Sequence, residues 1–519
     1  MEIIDDKALL IRTRRPHLIT ETIKKSSVLS EEDGLFEVAI NWGLEEAQGL
    51  AKLKVKDVPS PIKRDYAWTG KHKPFAHQRE TASFLTLHKR AFCFNEQGTG
   101  KTASVIWAAD YLMKIGKVRR VLVICPLSIM KPAWQLDLFK FAMHRSCSIA
   151  HGDAKQRAKI INSGSDFVII NFDGVAVVKE AIEKGGFDLI VVDEASAYKN
   201  AQTARWKTLR DIAANTEWLW MLTGTPAAQS PLDAFGLAKM CNPDNTPKYF
   251  GQFRDQVMYK VTQYKWAPKD TAQETVHKVL QPAIRFEKNQ CLDLPDLTYV
   301  EREAPLTPQQ IKYYRLLKKQ MTMSAAGESI TSVNAATNLN KLLQISGGAV
   351  YSDTREVVEF DVSNRLQAVL EVIEESSHKV LVFVPFTHTI ELLRAYLEKH
   401  KVSCDVINGK VNLNKRSEIV KQFQEQPDPH VLIIQPQAAS HGLTLTEANT
   451  IIWYAPVTSV ETYLQANARI NRPGQKNPMT IVHIKGSEVE SRLYNMLQNN
   501  ISNHSKIIDL YRQEIEETT

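Results

Sequence analysis

Two glycines, a lysine and a threonine close the string NEQGTGKT at Thr102, with the types and spacing needed to hold a triphosphate. A phosphate chain needs several donors converging on its oxygens, and a glycine-rich turn that opens a helix supplies them from backbone N–H groups and the helix dipole. Gly98, Thr99 and Gly100 would form the cradle, Lys101 would neutralise the β and γ phosphates, and the Thr102 hydroxyl would coordinate magnesium. Asn95 stands where the usual pattern has its first glycine. Further along, VVDEAS places Asp193 and Glu194 directly after an apolar run. Asp193 there would hold magnesium, and Glu194 would orient or deprotonate an attacking water. A third string, Gln465–Gln475, carries Arg469 and Arg472, which share one face if the segment is helical. Guanidinium groups reaching γ-phosphate oxygens from a second domain would make hydrolysis sensitive to domain position. In this order the three strings describe an ATP-driven motor with ATP and Mg2+ as cofactors.

Elements must bring these strings together. From Lys73 onward, short β-branched runs alternate with helix-length segments: Ala91–Phe94, Val121–Cys125, Phe167–Ile170, Leu189–Val192 and Trp218–Leu222. Continuous apolar runs of this length read as buried parallel strands, and strands separated by helices imply right-handed crossovers in a doubly wound α/β sheet. Ligands of such sheets bind at the carboxyl ends of the strands, where NEQGTGKT, DEAS and TGTP all fall. A second series begins near Asn364, with strands expected at Val380–Val384, Val431–Ile434, Thr450–Tyr454 and Thr480–Ile484. Two such domains are expected to form a cleft.

Between the two series, Thr307 and Gln310 with Pro308 resemble a capped helix start, and that helix should run to about Met323. Ser324–Asn338 is small and polar and reads as a loop. The resulting division is an N-terminal accessory region over 1–72, a first lobe with a helical insertion over 73–300, connector helices and a flexible loop over 301–363, and a second lobe over 364–519. In the accessory region, Leu35–Trp42 alternates like a strand and a short amphipathic helix follows from Leu44. Pro59 and Pro61 then break a lysine-rich stretch carrying Tyr66 and Trp68. That stretch fits either a solvated face with two anchoring aromatics or a nucleic-acid contact.

Composition narrows the classes. At 519 residues the chain exceeds one ordinary domain, and 43% hydrophobic content suffices for globular cores. Six dispersed cysteines without a CxxC pair argue against structural zinc and against a disulfide framework, and fit a reducing cytosol. No apolar run is long enough to span a membrane, and acids at Glu2, Asp5 and Asp6 precede any apolar stretch, so a cytoplasmic location is expected. A net charge of +7 favours a polyanionic partner only mildly over this length.

From roughly Pro74 to Asn500 the chain resembles the Swi/Snf-type branch of superfamily 2 helicases and translocases. The motifs that carry the resemblance are FAHQ at Phe75–Gln78, NEQGTGKT, VICPLSIMKPAWQLDLFKF, VVDEASAYKN, LTGTP, VLVFVPF, and the stretch from GLTLTEANTIIWY to QANARINRPGQ. The resemblance implies two tandem RecA-like lobes with an ATP cleft between them. It also implies adenine contact by Gln78, coupling of nucleotide state to DNA grip by Thr223 and Thr225, and cleft positions for Gly442 and Gln465. Ser128, Lys131, Asn171, Lys199 and Asn200 fall in segments that face nucleic acid in relatives. Ser196 departs from the histidine that many relatives carry after the Asp-Glu-Ala triplet, which puts coupling through that side chain in doubt.

The function implied is a DNA-stimulated ATPase that translocates on duplex or branched DNA and remodels or displaces bound structures. A strand-separating or fork-reannealing helicase is the alternative within the same chemistry. An ATP-switched subunit that recruits a protein partner, with residues 1–72 as its contact, is the alternative outside it. With no recognisable chromatin-reading module and no long charged tail, a compact bacterial or phage member is expected, working in the bacterial or host cytoplasm.

Overall fold

The computed structural model describes residues 1–70, 72–224, 226–227, 230–262, 266–291, 294–327, 332–351, 357–439 and 443–499. The chain divides into two compact units, the first holding the described residues up to Cys291 except Ser230, and the second Ser230 and those from Leu294 on.

The first unit opens on a small antiparallel sheet of β1 (Glu2–Ile4), β2 (Ala8–Thr13), β3 (Ser26–Glu32) and β4 (Leu35–Asn41), in the order β1-β2-β4-β3. Alternation in β2 and β4 sends Leu9, Ile11, Val38 and Ile40 to one face, where they meet Trp42 and Leu50. The helix Leu44–Lys52 closes this face. The proline-broken stretch that follows is packed down rather than free. Trp42 donates its indole N–H to the Pro59 carbonyl at 2.7 Å, and the Ser60 and Thr86 hydroxyls are 2.7 Å apart. Tyr66 is buried and donates to Asp110 Oδ2 at 2.6 Å, while Trp107 reaches the Thr69 carbonyl at 2.8 Å. Burial and the Asp110 charge push the Tyr66 phenol far above its ordinary value.

A seven-stranded parallel sheet forms the body of the unit: β5 (Arg90–Cys93), β6 (Val121–Cys125), β7 (Cys147–Ala150), β8 (Phe167–Asn171), β9 (Leu189–Asp193) and β10 (Trp218–Leu222). Beyond a hairpin of β11 (Met258–Lys260) and β12 (Trp266–Pro268), the seventh strand is β13 (Ala283–Ile284). The order is β13-β5-β10-β9-β6-β8-β7. Both faces are covered: Cys93, Val123, Ile169, Val191 and Trp220 enter one core layer, and Phe92, Ile124, Ile170, Val192 and Met221 the other. That two-sided burial is why the strands read as unbroken apolar runs.

The second unit carries a six-stranded parallel sheet. Its first strand is β14 (Leu297–Glu303), and after a hairpin of β15 (Ala349–Tyr351) and β16 (Val357–Glu359) come β17 (Lys379–Phe383), β18 (Cys404–Ile407), β19 (Val431–Ile434), β20 (Ala448–Trp453) and β21 (Met479–Lys485). The order is β14-β21-β20-β17-β19-β18. The strand β14 pairs with β21 along its whole length and so runs across the boundary placed at 300 from the sequence. The helix start at Thr307 has the reciprocal geometry of a capping box: the Thr307 amide donates to Gln310 Oε1 at 3.0 Å and the Gln310 amide to Thr307 Oγ1 at 3.4 Å.

The segment read as a loop, Ser324–Asn338, is helical wherever it is described. One helix runs Pro308–Gly327 and the next Ser332–Gly347. The apolar positions that anchor the second helix, Leu339, Leu342, Leu343 and Ile345, all come after Asn338, so its small polar first half carries no periodic signal.

In this unit a fully buried ion pair joins Arg365 to Glu490 at 2.7 Å. Arg365 also donates to the Tyr454 carbonyl, and Glu490 accepts from the Gly486 amide at 2.8 Å. Removing one partner of a buried pair strands the other's charge, so Arg365→Ala is expected to destabilise the unit by about 3–5 kcal/mol. A shift of its urea transition, followed by far-UV circular dichroism, reads this out.

Candidate nucleotide site

Strand register places Cys93, Leu222 and Asp193 in one row at the carboxyl edge of the first sheet. Three segments leave the sheet from that row. After β5, Gly98 and Gly100 adopt φ of 85° and 81°, and Gly100 caps the helix Lys101–Lys114. A Cβ on Gly100 would lie 2.1 Å from Gln78 Nε2 and displace that side chain, and the left-handed backbone angle favours glycine here. The loop is held from the helix Ala76–Leu87: Gln78 Nε2 donates to the Thr99 carbonyl at 3.1 Å, and His77 Nε2 lies 2.8 Å from the same oxygen. Gln78 Oε1 accepts from the Phe75 amide at 3.0 Å, which caps that helix. Thr102 lies in the first turn of the helix that the loop opens, beside Lys101.

Asn95 explains the missing first glycine. It is buried, donates to Thr81 Oγ1 at 2.8 Å and accepts from the Phe286 amide at 3.0 Å, tying the loop to a helix on one side and to the chain after β13 on the other. Asn95→Gly would leave the part-buried Phe286 amide without its acceptor and remove one of the two bonds of Thr81, whose hydroxyl still donates to the His77 carbonyl, with an expected loss of about 1–3 kcal/mol. Thermal unfolding of the variant beside the parent measures it. Lys101 Nζ donates to the Asn95 carbonyl at 2.7 Å and the Glu96 carbonyl at 3.3 Å, which sets its ammonium over the loop.

After β9, Asp193 is buried, with both carboxylate oxygens engaged. Its Oδ1 accepts from the Glu194 amide at 3.0 Å and its Oδ2 from the Trp134 indole at 2.9 Å. Burial raises its pKa above the ordinary carboxylate value, while the Lys101 charge and these two donors pull it back. Glu194 has φ of 51°, a left-handed backbone that glutamate seldom adopts. After β10, the Thr223 amide donates to the Cys93 carbonyl at 3.1 Å, and a Cβ at Gly224 would lie 3.6 Å from Gln97. The threonine expected to couple with Thr223, Thr225, lies outside the described residues.

These donors suit magnesium. No cluster of three or more metal-ligating side chains occurs among the described residues. Mg2+ is usually held by one or two carboxylates together with substrate phosphates and waters, so one hydroxyl at Thr102 and one carboxylate at Asp193 are an adequate protein contribution.

The residues expected to face nucleic acid leave the same edge of the sheet, three of them from its β6–β8 side and two from β9 itself. Asn171 pairs with Cys125 in register, so Ser128, Lys131 and Asn171 follow or end β6 and β8, and Lys199 and Asn200 follow β9. Lys131 and Asn200 are exposed. Asn171 is buried and accepts from Arg157 at 2.8 Å, and Lys199 pairs with Asp233 at 3.3 Å. Ser196 lies half-buried in the one-turn helix Ala195–Tyr198.

In the second unit, Gln465 is buried on the helix Val460–Asn467 and donates to Glu461 at 3.2 Å. The helix ends at Asn467, so Arg469 and Arg472 do not share a helical face. Pro473 and Gly474 follow as turn residues and cannot prolong the helix. The arginines converge by another route: Arg469 Nη1 and Arg472 Nη1 both donate to the Leu443 carbonyl, at 3.1 and 3.0 Å. Gly442 lies outside the described residues. Sequence reasoning carried Trp134 only as one letter of the stretch VICPLSIMKPAWQLDLFKF and gave it no role.

The description "SNF2-related domain" matches residues 77–346 and "Helicase conserved C-terminal domain" matches residues 364–474. A chromodomain-helicase-DNA-binding protein 1-like of Mus musculus is 26% identical over 443 residues, covering 81% of this chain and 48% of the relative. An uncharacterised ATP-dependent helicase of Mycoplasma genitalium is 26% identical over 402 residues, covering 75% of this chain and 37% of that protein. The chain thus spans about half or less of the length of these relatives. The solved SWI2/SNF2 ATPase core of Sulfolobus solfataricus in complex with double-stranded DNA is 22% identical, with a TM-score of 0.41, covering 87% of this chain and 96% of that one.

Proposed function

The chain belongs to the family built on an SNF2-related domain followed by a helicase conserved C-terminal domain, and from that premise we propose that it hydrolyses ATP to translocate on duplex DNA. The observation that carries this reading is the division of one sheet edge: the phosphate loop and acid pair end β5 and β9, and the set Ser128, Lys131 and Asn171 ends β6 and β8. One element therefore serves both ligands.

In the reaction, the amides of Gly98, Thr99 and Gly100 hold the phosphates, Lys101 offsets their charge, and Gln78 recognises the base. Thr102 and Asp193 would hold Mg2+, which when bound would supply positive charge to offset that of the phosphates. Glu194 orients the attacking water and takes its proton. Arg469 and Arg472 stabilise the charge that develops on the transferring phosphate. Gly442 and Gln465 take part in nucleotide binding, and Thr223 and Thr225 couple nucleotide state to DNA grip. Ser128, Lys131, Lys199 and Asn200 contact DNA phosphates, so binding is sequence-tolerant and weakens steeply with salt. Asn171 acts on that edge by holding Arg157. Residues 1–72 form an accessory contact for branched DNA or a protein partner, and the protein works in the cytoplasm. Among the described residues no helix is long and apolar enough to cross a membrane.

A triplex-displacement assay run beside a strand-displacement assay tests the translocation reading. Release of the third strand with the duplex left intact is the expected result. Duplex unwinding of comparable rate would replace this reading with a strand-separating helicase.

A further inference from the structure

Trp134 is completely buried, and its indole N–H donates to Asp193 Oδ2 at 2.9 Å. It belongs to the chain that follows β6, where a tight turn Leu127–Ile129 gives way to a π-helical turn, Met130–Gln135, and then to the helix Leu136–Phe141. π turns are rare, occur mostly at functional sites, and here contain Pro132, which lacks the N–H that a regular helix would use. Within seven residues this segment carries Ser128, exposed Lys131 and Trp134. The Ser128 hydroxyl is buried and has no hydrogen-bond partner among the described residues. A buried unpartnered hydroxyl is costly and calls for an explanation.

The Asp193 carboxylate is thus oriented by two donors of different origin. One, the Glu194 amide, comes from its own strand end; the other comes from the segment that presents Ser128 and Lys131. A hydrogen bond to an ionised acceptor is short, directional and about twice as strong as a neutral one, so its geometry follows any displacement of the donor.

We propose that Trp134 is a positioning residue through which duplex DNA, engaged at Ser128 and Lys131, sets the orientation of the Asp193 carboxylate. DNA contact and metal holding are then joined by a single indole hydrogen bond, with no nucleotide contact by Trp134 itself. This inference rests on the functional reading above.

Trp134→Phe keeps most of the packing and removes the donor. ATP turnover is measured for the parent and the variant with and without duplex DNA, together with duplex affinity by fluorescence anisotropy. If duplex fails to raise turnover in the parent, the functional reading itself is wrong. If the parent is stimulated, the variant should lose about tenfold of that stimulation, with duplex affinity and the KM for ATP held within about threefold. Equal stimulation in parent and variant would overturn the proposal.

A second measurement needs no activity and stands even if the variant fails to fold. The nine tryptophans of the parent give nine indole N–H resonances in a 15N-tryptophan TROSY spectrum. Asp193→Asn should shift one of them upfield in the proton dimension, because the acceptor loses its charge, and duplex added without nucleotide should move that same resonance. An indole spectrum unmoved by either change would equally overturn the proposal.

Discussion

Arg472→Ala is expected to lower kcat for ATP by about 10³-fold or more while leaving nucleotide affinity within about threefold, the pattern of a group that acts on transition-state charge. Arg472 is half-buried and donates to the Leu443 carbonyl at 3.0 Å, the same oxygen that Arg469 reaches at 3.1 Å. Two guanidinium groups on one carbonyl concentrate positive charge, and a developing phosphate anion is the complement of such an arrangement. Arg472 is the better test of the two. Arg469 is more deeply buried and also donates to the Gln465 carbonyl at 2.8 Å, so its loss would disturb the fold as well as the chemistry. Arg472→Lys keeps the charge without the planar fork and should fall between parent and alanine. Single-turnover hydrolysis, with nucleotide affinity measured separately, checks the split. A variant that loses affinity and keeps kcat would place Arg472 in binding instead.

Glu194→Gln should cut turnover about 10²–10⁴-fold with ATP still bound, because glutamine preserves shape and loses the basic oxygen. The left-handed backbone at Glu194 turns the chain sharply after Asp193. Asp193 is buried between Trp134 and a backbone amide, whereas Glu194 is half-buried. An oxygen that must take a proton from water cannot be as enclosed as one that holds a metal. Retention of full turnover by Glu194→Gln would remove the catalytic assignment.

The sheets were legible in the sequence because their strands are buried on both faces. Val121–Cys125, Trp218–Leu222 and Val431–Ile434 are continuous apolar runs, and the observed strands coincide with them residue for residue. Cys147–Ala150 and Cys404–Ile407 lie at sheet edges and are partly exposed, so their runs are broken by polar residues and do not stand out. Leu297–Glu303 is mostly exposed at the other edge of its sheet, and its alternation is interrupted by charge. The two-residue strand Ala283–Ile284 is too short to show a period.

At the site, residue type and order singled out the glycine-rich loop and the acid pair, and the fold brings both to one edge of the sheet. What they could not give was the support. Asn95 looks like a departure from a glycine pattern until its side chain is seen bridging Thr81 and Phe286. The arginines share a spacing that suggests a helix, yet a turn and the Leu443 carbonyl bring them together. Trp134 reaches Asp193 from 59 residues away, a contact that no local pattern encodes.

The central claim, a motor that turns over ATP in response to duplex DNA, is tested most directly by steady-state ATP turnover measured in parallel with duplex DNA, single-stranded DNA, forked DNA and RNA. The account predicts that duplex raises kcat well above the nucleic-acid-free rate, that RNA does not, and that stimulation falls as salt rises. Turnover indifferent to duplex DNA would contradict it.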